Sequence, residues 1–256
     1  MDIIVLLKRT IDAEERVELD NNKISMDNVE FNINPYDEFA LEEAIRIKEK
    51  FGGSVTVVTA SSEGFEKEIR TAFAMGADDC LFIVLNNNTP DNDPHYLGAI
   101  LAEGIKGKNF DLIISGQTSI DNNNATTPTI VAQLLNIPCI TNVIKIEIEE
   151  EHKFLCHRDV EGDIEKLESQ SPLLITAQQG LCEPRYPTLS GIMKAKKKKI
   201  EKVLEDELAQ SGLAASVKTT GIYLPPSKNG GKTVSGTPEE QATEIFSYIK
   251  NDAKLM

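Results

Sequence analysis

The sequence contains no tryptophan, and aromatic residues of all kinds make up only 5% of its 256 residues. This scarcity of aromatic rings argues against base-stacking platforms and against aromatic-lined sugar sites. The formal net charge of −14 argues against a nucleic-acid partner, because phosphate recognition requires a basic face. A hydrophobic content of 40% is enough for a substantial core, so the composition predicts a globular protein.

Motifs for metal binding and bond-breaking catalysis are also missing. The four cysteines form no CxxC pair, and the three histidines have no metal-ligand spacing. The chain has no GxSxG, HExxH or GxGxxG motif and no P-loop. These absences favour a binding or carrier protein over a hydrolytic enzyme.

The N-terminal apolar run, residues 2–8, is too short to cross a bilayer. Its charge order is also wrong for a signal peptide. We therefore expect a cytoplasmic protein with reduced thiols that is not embedded in a membrane.

Short β-branched runs alternate with amphipathic helical segments as far as about residue 135. The predicted strands are residues 2–8, 54–61, 80–85 and 110–116, and the predicted helices are 34–51, 63–76, 96–105 and 123–135. This alternation predicts βαβ units and a parallel sheet. We expect Asn34 or Asp37 to cap the first helix.

Other segments depart from this alternation. Residues 143–167 alternate like an antiparallel hairpin, and a loose hairpin is predicted around Asn21-Asn22. Residues 172–179 form the last strong strand. The composition changes after Lys202, which predicts a domain over residues 1–202 and a linker and arm over 203–256. A terminal helix begins at Thr237, and the arm must lie on the parent domain or on a partner because its apolar content is low.

Small polar residues crowd the segment SGQTSIDNNNATTPT, residues 115–129, directly after a predicted strand. Ligands of open parallel sheets bind outside the carboxyl ends of the strands. Backbone N–H groups and hydroxyls can approach an anion there, and the following helix N-terminus favours phosphate. The stretches LLKRT, residues 6–10, and TASSEG, residues 59–64, follow two other strands at the same edge. We therefore predict a nucleotide-sized polar pocket.

Five stretches resemble a known family. They are LKRTID at 7–12, NPYDEFALEEAIRIKEK at 34–50, IRTAFAMGAD at 69–78, DLIISGQTSID at 111–121 and EPRYPTLSGIMKAKKKKIE at 183–201. In this order they are similar to the β subunit of electron transfer flavoproteins, over residues 1 to about 201. The resemblance implies an α/β, Rossmann-like fold of the adenine nucleotide α-hydrolase type. It has a mostly parallel sheet with flanking helices, plus a C-terminal extended arm and helix.

The resemblance also implies a redox role. The family forms a heterodimer with an α subunit, which holds most contacts to an FAD. The heterodimer moves electrons from a flavin dehydrogenase, such as an acyl-CoA dehydrogenase, to a downstream oxidoreductase. An AMP is implied in this subunit. By position its contacts would be Leu6, Lys8, Asn34, Pro35, Tyr36, Asp37, Ala60, Gly116, Gln117, Thr118, Ser119, Ile120, Asp121, Asn122, Asn123, Asn124, Ala125, Thr126 and Thr127.

The loop departs from the family's AMP-binding pattern at three of four positions and keeps the threonine at Thr127. Ala125-Thr126-Thr127-Pro128 stands where that pattern has Asn-Gln-Thr-Gly. Electron-bifurcating members bind a second FAD here and oxidise NADH, and the chain shares Asp121 and Ala125 with their pattern. We expect AMP, and a bifurcating subunit that binds FAD is the alternative.

Residues 178–192 resemble the family's docking loop. The resemblance implies that Leu181 is the apolar anchor inserted into the dehydrogenase, with Glu183, Arg185 and Tyr186 beside it. The lysines at 194 and 196–199 would form a positive flank. Such rim charges steer encounter and raise the association rate.

Overall fold

A nine-stranded, mostly parallel β-sheet forms the centre of the fold, with helices on both faces. The computed structural model describes residues 1–20, 23–25, 29–62, 64–86, 89, 93–150, 152–208, 213–226, 231 and 233–252. Its strands are β1 Asp2–Leu6, β2 Arg9–Ile11, β3 Leu19–Asp20, β4 Lys23–Ile24, β5 Phe31–Ile33, β6 Ser54–Ser61, β7 Asp79–Val84, β8 Leu112–Gly116, β9 Cys139–Glu150, β10 Lys153–Val160, β11 Asp163–Gln170, β12 Leu173–Ala177 and β13 Glu201–Leu204. Its helices are α1 Pro35–Phe51, α2 Glu66–Met75, α3 Pro94–Ile105, α4 Thr127–Leu135, α5 Leu189–Ala195, α6 Glu205–Leu208 and α7 Pro238–Ser247, which continues as a π-helical turn Tyr248–Asp252.

The strand order of the large sheet is β11-β10-β9-β12-β8-β1-β6-β7-β13. The strands from β9 through β13 in this order pair in parallel. Strands β10 and β11 extend β9 as an antiparallel meander. This architecture confirms the predicted α/β fold class, and residues 143–167 are antiparallel as predicted.

Alternation of side chains along the buried strands divides the core into two clusters. Ile3 on β1 faces the cluster that contains Leu41 of α1 and the apolar side of α2. Its neighbour Ile4 faces the other cluster, which contains Ile100 of α3 and side chains of α4. The parallel strands are therefore covered on both faces, which explains their almost continuous apolar sequences.

The chain reverses direction across the sheet between β1 and β8. From β1 it passes through α1 to β6 and through α2 to β7, on one side of β1. It then returns through α3 to β8 on the other side. Such a reversal is called a topological switch point. The loops that follow the two strands on either side of it, here β1 and β8, diverge and leave the crevice where α/β proteins bind ligands.

Three local predictions differ from the structure or fall beyond it. The helix predicted over 123–135 begins only at Thr127, because Asn123 and Ala125 adopt φ values of 51° and 54° that interrupt a helix. The Asn21-Asn22 turn lies outside the described residues, although β3 and β4 on either side of it pair antiparallel. Beyond Lys202 the chain completes β13 beside β7 and then forms α6, and a domain boundary there stays a prediction.

The arm that follows is extended. Residues 213–226 adopt neither helix nor strand. Helix α7 buries none of its residues, and it begins at Thr237 with a capping box formed by Glu240. The cap confirms the predicted start of the terminal helix.

Candidate nucleotide site and docking segment

Asp37 joins the two sides of the crevice. One carboxylate oxygen accepts the backbone N–H of Lys8 at 2.7 Å, after β1, and the other accepts the N–H of Gly116 at 2.8 Å, at the end of β8. The side chain is buried. Burial raises the pKa of Asp37 to about 7, although both backbone N–H groups favour its ionised form. A carboxyl in the first turn of α1 therefore fixes the spacing of the two strand ends.

Asn34 anchors the loop that crosses the crevice. It occupies the N-cap position of α1, but the expectation that its side chain or that of Asp37 caps the helix is wrong. The Asn34 amide instead donates to the carbonyl of Thr118 at 2.8 Å and accepts from the N–H of Ile120 at 3.3 Å. These loop groups lack partners in the sheet, and the buried amide satisfies them.

Lys8 and Asp121 hold the same loop from the solvent side. Their charged groups approach to 2.6 Å, and the Lys8 ammonium also donates to the Ser119 hydroxyl at 3.3 Å. Burial disfavours the ionised form of Asp121, yet the Lys8 charge and hydrogen bonds keep the pKa of its carboxyl below its usual value. Asp121 and Lys8, which were both predicted to contact the nucleotide, are thus paired with each other.

Gly116 is required by a close approach of α1. A Cβ atom at this position would lie 2.4 Å from an Asp37 carboxylate oxygen and 2.7 Å from Cβ of Tyr36. No larger residue fits unless the first turn of α1 moves. Pro35 and Tyr36 occupy that first turn of α1, so the position of the helix places both residues beside the loop.

The distal part of the loop is exposed and bonded mostly to itself. The hydroxyls of Thr118 and Ser119 donate at 3.0 Å to the side-chain oxygens of Asn123 and Asn122. Asn124 accepts from the backbone N–H and hydroxyl of Thr126. Helix α4 begins at the next residue, and Thr126 makes no side-chain cap bond. Backbone N–H groups of the first turn of α4 therefore border the loop.

The predicted nucleotide residues consequently fall into three groups. In the first group, Lys8, Asn34 and Asp37 form direct hydrogen bonds with one another or with residues 116–120 of the loop. Leu6 and Ala60 lie near the ends of the neighbouring strands β1 and β6, with Leu6 buried and Ala60 half-buried. The third group, residues 122–127, forms the exposed rim of the loop.

A network of hydrogen bonds among polar residues begins at Gln117, and the sequence did not reveal it. Its side-chain oxygen accepts from the N–H of Asn142 at 2.8 Å and from the hydroxyl of Thr176. Asn142, at a φ of 63°, accepts in turn from the side chain of Gln178. Polar residues near the end of β12 were the available signal, because that strand lies next to β8.

Arg185 attaches residues 178–192, the segment that resembles a docking loop, to the rest of the domain. Its guanidinium forms a bond of 2.8 Å to Glu42 and one of 2.6 Å to Glu49, both on α1. Burial disfavours ionised Glu42, but the Arg185 bonds hold the pKa of its carboxyl below the usual value. Arg185 therefore fixes the segment on α1 and leaves its neighbours to face outwards.

The exposed apolar surface of the segment lies beyond the predicted anchor. Leu181 is half-buried and packs on the domain core. Tyr186, Leu189 and Met193 are 92%, 79% and 58% exposed. We call these three side chains the docking patch. Glu183 is also exposed, at the start of the segment.

The lysine side chains that follow this patch in sequence point in two directions. Lys198 points inward and donates to the carbonyls of Ala77 at 2.8 Å and Asp78 at 2.6 Å, so it does not join the predicted positive flank. The others are exposed: Lys194, Lys196, Lys197 and Lys199. Four positive charges thus remain next to the docking patch.

Within the described ranges, no helix combines the length and apolar character needed to cross a membrane. Over the same part of the chain, no three or more His, Cys, Asp or Glu side chains are grouped so that they could hold a metal ion.

The fold and its switch point define a Rossmann-like α/β domain with a polar loop after β8. A family model described as "Electron transfer flavoprotein domain" matches residues 22–208. An electron transfer flavoprotein subunit beta of Bacillus subtilis (strain 168) is 45% identical to this chain, with 100% of both chains covered. The subunit beta of Syntrophomonas wolfei is 35% identical over 100% of this chain and 98% of its own. That of Sus scrofa is 34% identical over 92% and 93%.

The chain belongs to the electron transfer flavoprotein family and is similar to its β subunits over its whole length. It is therefore a component of electron transport by flavoproteins.

Proposed function

We propose that this chain is the β subunit of a cytoplasmic, heterodimeric electron transfer flavoprotein. Its α companion holds most contacts to FAD. The heterodimer carries electrons from a flavin dehydrogenase, such as an acyl-CoA dehydrogenase, to a downstream oxidoreductase. The flavin supplies the electron chemistry when bound, and this chain supplies binding and orientation.

The nucleotide of this subunit is AMP, held in the crevice between β1 and β8. The observation that carries this proposal is the polar loop at the switch point, fixed from below by Asn34 and Asp37. Leu6 and Ala60 supply apolar surface for the adenosine at the neighbouring strand ends. The exposed rim of the loop and the N-terminus of α4 supply N–H groups and hydroxyls for the phosphate.

Removing the Asn34 amide tests this site. In Asn34→Ala the Thr118 carbonyl and the Ile120 N–H lose their partner, so the loop loosens and the purified heterodimer retains less AMP after gel filtration. The matched control is Asn109→Ala, an exposed asparagine that precedes β8 at the opposite end of the sheet. Unchanged AMP content in Asn34→Ala would count against the proposed site.

The dehydrogenase docks on the docking patch, and Leu189 is the main apolar contact. Hot spots of interfaces are apolar or aromatic side chains surrounded by a polar rim, and the four exposed lysines supply that rim. Arg185 supports the patch through Glu42 and Glu49. A small, charged contact also suits a shuttle that must dissociate rapidly.

Three alanine variants separate the candidate contacts. Leu189→Ala is expected to reduce the second-order rate of reduction by the dehydrogenase about tenfold, the loss of roughly 1.4 kcal/mol of binding. Ile164→Ala, at an isoleucine on β11 that is 59% exposed, leaves the rate unchanged. A loss confined to Leu181→Ala would show that the half-buried leucine is the anchor instead.

The arm lies on the α companion. Outside the domain, Val217, Tyr223 and Leu224 are exposed, as are Phe246 and Tyr248 at the terminal helix. Apolar side chains without a core are covered by a partner in a stable assembly.

A further inference from the structure

A buried carboxylate holds the base of the arm. Asp93 is fully buried at the N-cap of α3. One of its oxygens accepts the backbone N–H groups of His95 at 3.0 Å and Tyr96 at 3.1 Å. The other accepts the N–H groups of Ser216 and of Val217, the latter at 2.8 Å. One oxygen thus serves the helix and the other serves the arm.

A second buried carboxylate holds the surrounding chain. Glu205, in α6, accepts the N–H of Asn86 at 2.6 Å, the hydroxyl of Thr89 at 2.6 Å and the hydroxyl of Tyr96. Burial and the bond to Glu205 raise the pKa of Tyr96 to about 12, so the phenol stays a donor. Glu205 therefore fixes the chain before α3 and the first turn of that helix, which keeps Asp93 in place.

The arm changes character immediately after these contacts. Leu213 still packs on the core cluster that contains α3. From Val217 to Leu224 the apolar side chains are exposed, including Tyr223 at 85% and Leu224 at 53%. Asp93 therefore holds the arm at the point where its large apolar side chains become exposed, and its bonds to Ser216 and Val217 orient the start of residues 217–224.

We propose that Asp93 is a positioning residue that latches the base of the arm and presents residues 217–224 to the companion subunit. This inference rests on the proposed function, in which the arm covers the α subunit. Holding a segment in its bound direction before association lowers the ordering cost of binding. The latch thus strengthens the heterodimer although Asp93 itself stays buried in this chain.

The variant Asp93→Asn separates the two oxygens of the carboxylate. Asparagine is an excellent N-cap, so its side-chain oxygen retains the bonds to α3. Its NH₂ group then faces the N–H groups of Ser216 and Val217, and two donors cannot bond each other. We expect hydrogen exchange of these two amides in the full chain to accelerate at least about tenfold while α3 stays protected. The dissociation constant of the heterodimer rises about tenfold, with AMP content unchanged.

Two more variants keep the test decisive. Asp93→Ser retains a cap for α3 and removes the second acceptor oxygen, so it repeats the result of Asp93→Asn without placing an NH₂ group against the arm. Asp93→Ala loses both functions and exposes α3 to faster exchange as well.

Each outcome decides the proposal. Fast exchange at Ser216 and Val217 together with weaker association supports it. Unchanged exchange in Asp93→Asn and Asp93→Ser overturns the latch, and fast exchange with unchanged association overturns its role in presenting the arm. A wild-type chain that fails to associate with an α subunit would contradict the proposed function, and the exchange of the two amides would still decide the latch.

Discussion

The site loop, residues 116–127, and the arm, residues 213–226, both lack strong helix or strand patterns in sequence, but the loop is polar whereas half of the arm is apolar. Their environments differ. The loop is tied to the domain at Lys8, Asn34 and Asp37, and its rim is polar. The arm is held near its start by Asp93, and it then exposes apolar side chains.

The difference supports the ligand proposed for each segment. A loop anchored from below with polar groups at its rim suits a small polar ligand, because the rim supplies hydrogen bonds and little apolar surface. An arm with exposed apolar side chains and no core of its own suits a protein surface. Changes at the loop should therefore affect domain stability and ligand content, whereas changes in the arm should affect association.

The largest expected difference is a pH effect at the base of the loop. The folded chain holds the Asp37 proton up to about pH 7, whereas the unfolded chain releases it near 3.8. The unfolded state thus binds fewer protons between these values, and the stability of the wild type falls as pH rises across them. Relative to Asp37→Asn, the loss is at most about 4 kcal/mol. Urea unfolding of both chains from about pH 4.5 to 8 measures it. A pH-independent difference between the two chains would contradict this assignment.

A pair of glycine substitutions compares the two segments directly. Gly116→Ala places a Cβ 2.4 Å from an Asp37 oxygen, and we expect a loss of about 3 kcal/mol together with the bound AMP. Gly221→Ala, in the arm, meets no atom within 4 Å, and its effect should stay below about 0.5 kcal/mol. Urea unfolding and nucleotide content are the measurements. Equal losses in both variants would remove the contrast between loop and arm.

The smallest effect is expected at the terminal helix. Thr237→Ala removes the capping box of α7 and should weaken that helix by about 1 kcal/mol. Because α7 buries no residue, the unfolding temperature of the domain should not change. Amide exchange over residues 238–247 reports the local loss, and calorimetry reports the domain. A lowered domain transition would show that the helix packs on the domain.

The sequence predicted those parts of the fold that a local pattern of residues determines. Runs such as DIIVL and SVTVV are continuous because both faces of a parallel sheet are buried, so the strands and the site edge could be located. The start of α4 was predicted four residues too early, because the segment from Asn123 was assigned to the helix although Asn readily adopts the left-handed conformation that it has here. The loop partners of Asn34, the arm partners of Asp93 and the α1 partners of Arg185 lie 84 or more positions away along the chain, beyond any local signal.

The nucleotide and flavin content of the heterodimer tests the central claim most directly. We predict that the complex of this chain with its α companion, denatured after purification, releases about one AMP and about one FAD per heterodimer. A yield of about two FAD without AMP would identify the bifurcating alternative. A colourless complex that releases no adenylate would contradict both the site in this subunit and its role in electron transfer.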